Sequence, residues 1–403
     1  QFFFSTNELL ASGVLSGLRN EVVLIKGARV FHFDDITDVL ELKVHETILE
    51  INLNALTANL NYYRNKLKPE TKMVCMVKAS AYGAGSFEVA KTLEDQRVDY
   101  LAVAVADEGA DLRKAGIHCP IIIMDPEVSA FKTMFDYKLE PEVYSFQMLE
   151  ELIKAAEREG AANVPVHIKV DTGMHRLGFA PSDMPRLAER LHRQSTVIPR
   201  SIFSHLVGSD SDRFDPFTRR QIETFEAAAA DLQKEFNHKI IRHICNTAGI
   251  ERYPGAQFDM VRLGLGLYGI DPYTNRILHN VTTLKTTILQ IHDVPADETV
   301  GYSRKGVLSR DSRIATLPIG YADGLNRRLG NGHAYCLVNG KKAPYVGNIC
   351  MDVCMIDVTD IDCKEGDKAI IFGDDLPVTV LSDVLETIPY EILTSVSGRV
   401  KRI

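Results

Sequence analysis

Val77-Lys78-Ala79-Ser80-Ala81-Tyr82-Gly83-Ala84-Gly85 sets a lysine at the mouth of an apolar strand and, within nine residues, a tyrosine in a glycine-rich turn. A lysine amine so presented can condense with an aldehyde, and a turn of small residues lets backbone N–H groups and a phenol approach a phosphate. Those are the two needs of a pyridoxal phosphate (PLP) site. The same segment also suits a surface lysine closing a strand, because glycine-rich turns are common. Other segments decide between the two.

The elements around it predict a scaffold. From about residue 72 to 270, apolar β-rich runs alternate with amphipathic helical stretches. The runs are Met73–Lys78, Tyr100–Val105, Pro120–Asp125, Leu139–Tyr144, Val164–Asp171, Pro199–Leu206, Ile241–Asn246 and Met260–Gly269. Eight βα units in series predict a closed parallel (β/α)8 barrel. A doubly wound open sheet is the alternative, but the glycine fingerprint that would follow its first strand is missing. Polar candidates fall at the C-terminal ends of these runs, where barrel enzymes build their sites. Lys78 ends the first, Lys169 and Arg176 flank the end of the fifth, and His205 ends the sixth. Asn246 and Thr247 follow the seventh, and Arg262 and Gly264 lie on the eighth.

After about Asn280 short runs alternate with period two between Asp-Glu, Asn-Gly and Gly-Asp turns, with little helix until Leu381–Glu386, which predicts a mainly β domain over 280–403. No Pro/Gly/Ser-rich spacer separates it from the barrel, expected over 45–279. Before the barrel, Ser5 and Glu8 form a capping box ahead of an apolar helical pattern through Leu18, and Glu21 to Phe31 alternates like a strand.

Composition narrows the function. The 403 residues are 45% hydrophobic and 25% charged, ordinary for a folded protein, and the net charge of −8 argues against a nucleic-acid or anionic-membrane surface. No apolar run is long enough to span a bilayer and no basic secretory start is present, so the expected location is cytoplasmic. Seven cysteines, odd in number and scattered, fit buried reduced thiols. Cys350 and Cys354 lack the histidine or second pair that a zinc site needs, so no metal is expected.

Five separated motifs make residues 46 to 403 resemble the alanine racemase family. They are Val77–Gly85, Lys169-Val-Asp-Thr-Gly-Met-His-Arg-Leu-Gly178, Ser204-His205-Leu206, Val261-Arg262-Leu263-Gly264, and Ile349-Cys-Met-Asp352 following Gly320-Tyr321-Ala-Asp-Gly324. The run Glu21–Arg29 is similar to the C-terminal tail of the Mur ligases, so residues 1–44 are expected to be the remnant or linker of a ligase fused upstream.

The resemblance implies a PLP-dependent two-base interconversion of L- and D-alanine, supplying peptidoglycan, by a homodimer with shared sites. Lys78 would bind the cofactor and act as one base. As a neutral amine it can accept a proton, a state that nearby Arg176 and Arg262 favour. Tyr302 would be the base on the opposite face, reaching the partner's barrel. Arg262 would face the pyridine nitrogen, and because arginine holds its proton the ring would be a weaker electron sink than in most PLP enzymes. His243 would support Arg262, and His205 would pack beside the cofactor. Tyr82, Asn246, Thr247, Gly264 and Leu265 would form the cofactor's binding groups, mostly hydroxyls and backbone N–H groups at its phosphate. Arg176 and Met351 would meet the substrate carboxylate side, with Asp352 beside Met351 and Tyr321 lining the access passage. Lys169 would hold Arg176, carbamylated or as an ordinary lysine paired with Asp171.

Four positions depart from the family pattern. Gly398 replaces a phosphate-binding tyrosine, Asn348 an arginine, and Ser80 and Ala84 an aspartate and a histidine. A serine or broad-specificity racemase differs only in pocket size. A PLP-dependent decarboxylase of the same barrel class would carry a carboxylate in place of Arg262. A non-catalytic PLP carrier would need no β domain.

Overall fold

The computed structural model describes residues 2–15, 18, 23–26, 33, 36, 40 and 46–403. They fall into two units divided between Thr47 and Ile48. In the first, the helix Thr6–Ala11 starts where the capping residues predict: Ser5 Oγ accepts the Glu8 N–H at 3.2 Å, while the Glu8 carboxylate accepts the Phe4 N–H at 2.8 Å. It ends at Ala11, short of the expected Leu18, because Ser12 Oγ turns back to the Leu9 carbonyl and Gly13 takes φ +71°. Most of the expected strand from Glu21 to Phe31, and of the Mur ligase-like run within it, lies outside the described residues.

The second unit opens with β1 (Ile48–Ile51) and the helix Leu53–Arg64, which Asn52 caps through the Ala55 N–H. Eight parallel strands follow: β2 (Lys72–Met76), β3 (Tyr100–Val103), β4 (Ile121–Ile123), β5 (Glu140–Val143), β6 (Val164–Lys169), β7 (Val197–Phe203), β8 (Ile241–His243) and β9 (Met260–Leu263). All eight lie within or next to the expected runs. β2 to β8 pair in chain order, and β9 pairs with β2. The ring closes between β8 and β9 through two backbone bonds, Arg262 N–H to the Cys245 carbonyl (2.9 Å) and Asp259 N–H to the Arg242 carbonyl (3.1 Å). β8 is too short for a full ladder.

The strands form where they do because most of their residues are buried on both faces. Ile121, Ile122 and Ile123 are all fully buried, as a parallel strand between barrel interior and helix layer requires. The helices supply the outer apolar layer. Phe146–Arg158, capped by Ser145, turns Met148, Leu149, Leu152, Ile153 and Ala156 inward.

The β domain is a nine-stranded sheet with its own core, including Leu284, Leu317, Tyr345, Ile356 and Phe372. One expected boundary is corrected. β1 does not belong to the barrel: it pairs antiparallel with β10 (Thr282–Thr287) and parallel with the terminal strand Lys401–Arg402. The barrel is thus inserted between the first strand of the β domain and the rest. The expected helical turn near Leu381 is the helix Val378–Leu385, and a second helix, Pro389–Ser395, follows with proline at its first position.

Among the described residues no helix is long and apolar enough to cross a membrane. All seven cysteines are free thiols, five of them buried.

Candidate active site

A cavity of about 930 Å³ opens at the C-terminal ends of the barrel strands. Of the expected residues, Lys78, Tyr82, Arg176, His205, Asn246, Thr247, Arg262 and Gly264 line it. Lys78 follows β2 and opens a turn of unusual backbone. Ala79, Ser80, Ala81 and Tyr82 all lie in the left-handed region, with φ between 51° and 55°, and Gly83 ends the turn at φ +86°. Four non-glycine residues in that region store strain. The turn is held from outside: a Cβ on Gly83 would lie 2.3 Å from the Leu393 carbonyl oxygen, and the Gly83 carbonyl accepts from Arg402 Nε at 3.0 Å. The β-domain helix Pro389–Ser395 therefore fixes the loop that aims Lys78 and Tyr82.

Tyr82 is buried beside two other aromatic rings, Tyr268 at 4.6 Å and Tyr390 at 5.3 Å between centroids. Thr247 Oγ1 accepts the N–H groups of Gly264 (3.1 Å) and Gly266 (3.4 Å). A Cβ on Gly264 would come within 3.3 Å of Tyr82 Oη and 3.8 Å of Thr247 Oγ1, so only glycine keeps the space between these hydroxyls open. Two hydroxyls and nearby backbone N–H groups, with a lysine amine and a buried guanidinium in the same cavity, are a donor set that fits PLP. Asn246 is spent on the loop itself: its Oδ1 accepts from Gly249 N–H and Ser209 Oγ, and its Nδ2 donates to the Leu206 carbonyl. Leu265 is buried at the start of the turn Leu265–Tyr268, outside the cavity lining.

Arg262, on β9, is 4% exposed. Its Nη1 donates to His243 Nδ1 (2.8 Å), and its Nη2 donates to the carbonyls of Ser204 (2.6 Å) and Ile244 (3.2 Å). Burial lowers the guanidinium to about 10, which leaves it a cation at neutral pH. Burial, with Arg262 next, holds His205 and His243 well below the ordinary histidine value, so both rings are neutral. Phe203, unexpected from sequence, stacks on His243 at 4.8 Å, with Lys169 Nζ 4.3 Å and Arg262 Cζ 5.1 Å from its ring centre.

Lys169 is buried behind the cavity. Burial brings its ammonium down to about 8, against the attraction of Glu142. The expected alternative pairing with Asp171 is not what the structure has. Asp171 Oδ1 accepts the N–H groups of Gly173, Met174 and His175 and so shapes the turn that carries Arg176 to the cavity mouth. The carboxylate facing Lys169 is Glu142, 1% exposed, with Oε1 unpartnered. Glu142, Asp125 and Tyr390 line the cavity and were not anticipated from sequence.

Tyr302, Tyr321, Met351 and Asp352 are not in this cavity. They stand on the β domain, with Tyr302 67%, Met351 54% and Tyr321 42% exposed. They are nevertheless held firmly. Asn348 Nδ2 donates to the Tyr302 carbonyl at 3.2 Å, so the residue that departs from the family's arginine braces the tyrosine loop. Tyr321 N–H donates to the Cys350 carbonyl and Ala322 N–H to the Met351 carbonyl. Arg399 bridges the fully buried Asp323 (2.6 Å) and Asp352 (2.8 Å). A side chain at Gly398 would meet nothing within 4 Å, so no packing demands glycine there. Among the described residues no cluster of histidine, cysteine and carboxylate groups could hold a metal.

A parallel barrel with an amine, a buried arginine and a hydroxyl pair at its C-terminal mouth, continued by a β domain, defines a distinct enzyme class. The family model "Alanine racemase, N-terminal domain" matches residues 51–272, and "Alanine racemase, C-terminal domain" matches residues 281–403. The chain belongs to the alanine racemase family. It is 37% identical to alanine racemase 2 of Caldanaerobacter subterraneus subsp. tengcongensis, over 90% of this chain and 95% of that one. It is 38% identical to alanine racemase 1 of Clostridium acetobutylicum, over 88% and 94%. Among solved structures it is similar to alanine racemase from Bartonella henselae with covalently bound pyridoxal phosphate. The TM-score is 0.80 and the identity 29%, over 89% of this chain and 99% of that one. It is also similar to alanine racemase from Bacillus anthracis with bound L-Ala-P, with a TM-score of 0.83 and 28% identity over 89% and 95%.

Proposed function

We infer that this chain interconverts L- and D-alanine, with PLP as cofactor and D-alanine for peptidoglycan as its product. One observation carries the reading: Lys78, Arg262 and the Tyr82–Thr247 hydroxyl pair converge on one cavity in a chain that the two family models match over residues 51–272 and 281–403. When bound, PLP supplies an aldehyde for an amine and a ring that withdraws electrons from the substrate Cα. The chain's own groups do the rest. Tyr82 and Thr247 would hold the phosphate end across the space that Gly264 leaves open, and Arg262, fixed as a cation, would meet the ring nitrogen without giving up a proton. Arg176 orients the substrate carboxylate from the cavity mouth. Lys78 takes or returns the α-proton on one side, and Tyr302 of a second copy does so on the other.

The surface position of Tyr302 supports a homodimer. A tyrosine, a methionine and a second tyrosine exposed together on well-braced loops suit a subunit contact better than free solvent. The Mur ligase-like run from Glu21 to Arg29 suits a cell-wall setting, with a ligase fused upstream.

Solvent-deuterium incorporation into each alanine enantiomer tests the reading. The wild-type protein should label both. Lys78→Ala and Tyr302→Phe should each lose about 100-fold or more, the usual worth of a positioned proton carrier. Labelling that survives in both variants removes the two-base mechanism.

A further inference from the structure

Behind Arg262 a line of polar side chains crosses the barrel interior, and the proposed chemistry does not use it. Five consecutive strands contribute one residue each: Glu140 from β5, His167 from β6, Ser201 from β7, His243 from β8 and Arg262 from β9. Arg262 Nη1 lies 2.8 Å from His243 Nδ1, and His243 Nε2 lies 2.9 Å from Ser201 Oγ. Ser201 Oγ lies 2.6 Å from His167 Nδ1, and His167 Nε2 lies 2.9 Å from Glu140 Oε2. His167, Ser201 and His243 are buried, and Glu140 is the outer, partly exposed end.

The proton positions follow from the two ends. Arginine has no acceptor, so its N–H donates and His243 Nδ1 is bare. The neutral His243 ring then carries its proton on Nε2 and gives it to Ser201 Oγ. At the other end the Glu140 carboxylate only accepts, so His167 Nε2 carries a proton. A neutral His167 leaves Nδ1 bare, and the single hydroxyl proton of Ser201 fills that gap. Every donor and acceptor is matched, and all four bonds point the same way, from the cation to the carboxylate. The competing arrangement, a doubly protonated His167 paired with Glu140, sends two ring protons to Ser201 and leaves the serine proton without a partner in the line.

We propose that Glu140, His167 and Ser201 are positioning residues that hold His243 as its Nε2–H tautomer and thereby keep Arg262 a fixed cationic donor. No carboxylate among the described residues lies within ion-pair distance of Arg262. The relay ends on the Glu140 carboxylate, four hydrogen bonds from the guanidinium. Polarisation along the line strengthens the acceptor that Arg262 meets.

Two-bond proton–nitrogen NMR of the full-length holoenzyme labelled with 15N-histidine tests the tautomers, with His167→Gln to assign the signals. Both rings should show a bare Nδ1 and a protonated Nε2 near pH 7. A proton on Nδ1 of either ring overturns the relay. The kinetic arm alone rests on the racemase reading. Ser201→Ala leaves the His243 N–H without an acceptor, so kcat in both directions should fall about tenfold, with KM nearly unchanged. Ser201→Thr, which keeps the hydroxyl, should restore it. Undiminished kcat in Ser201→Ala, or an equal loss in Ser201→Thr, sinks the positioning role. The NMR result stands even if alanine proves not to be the substrate, so the two readings fail separately.

Discussion

Replacing Glu142 by glutamine isolates the cost of ionising a buried carboxylate. Glu142 is 1% exposed on β5, with Oε1 unpartnered. Burial, partly opposed by Lys169, raises its carboxyl from 4.5 to about 7. Between those values the unfolded chain has released the proton and the folded chain still holds it. The folded state therefore binds more protons, and stability falls as pH rises, by about 1.4 kcal/mol per pH unit. Over the window from 4.5 to about 7 the wild-type protein loses roughly 3 kcal/mol through this group alone. Glutamine has nearly the same shape and does not titrate. Urea unfolding followed by circular dichroism suits a chain without tryptophan. Between about pH 5 and pH 7 the stability difference should widen in favour of Glu142→Gln by about 1 kcal/mol per unit and then level off. Parallel stability profiles would mean that Glu142 ionises as readily folded as unfolded, and the account of the Lys169 pocket would be wrong. The same substitution removes the attraction that opposes Lys169's desolvation, so the Lys169 amine should drop below its present value of about 8.

Two further outcomes concern the turn after Lys78. Gly83→Ala forces a Cβ to 2.3 Å from a backbone oxygen at φ +86°, and should cost at least about 2 kcal/mol and weaken PLP binding, read by thermal melting and cofactor titration. Unchanged cofactor affinity would show that the contact with the helix Pro389–Ser395 does not shape the site. Ser80→Gly relieves a left-handed residue at φ 53° and should stabilise the chain by roughly 0.5–1 kcal/mol while lowering kcat, because the loop aiming Lys78 loosens. A lower melting temperature would contradict the strain.

What the sequence disclosed follows the burial of each element. A barrel strand covered on both faces reads as an unbroken apolar run, so all eight stood out, and the polar residues ending those runs marked the cavity. Glu140 and Glu142 hid for the same reason in reverse. In Glu140-Pro141-Glu142-Val143 two glutamates near a proline resemble a solvated edge, and only the closed ring turns them inward. Tyr390 reaches the cavity from a helix near the chain's end, a contact that no local pattern encodes. β1 has the pattern of a strand, but pattern does not name its sheet, which is why its membership in the β domain emerged only from the pairing register.

That pairing has a consequence for synthesis. Ile48–Ile51 leaves the ribosome before the barrel strands yet must wait for Thr282–Thr287 and Lys401–Arg402 before either of its edges is covered. The inserted barrel has every strand it needs by Leu263 and can close while the strand ahead of it still lacks neighbours. A strand with three apolar residues of four and two bare edges is meanwhile open to aggregation. Release from that hazard waits for Ile403, which donates to the Leu49 carbonyl and accepts from the Ile51 N–H, so removing Lys401–Ile403 should harm solubility before it harms the cofactor pocket.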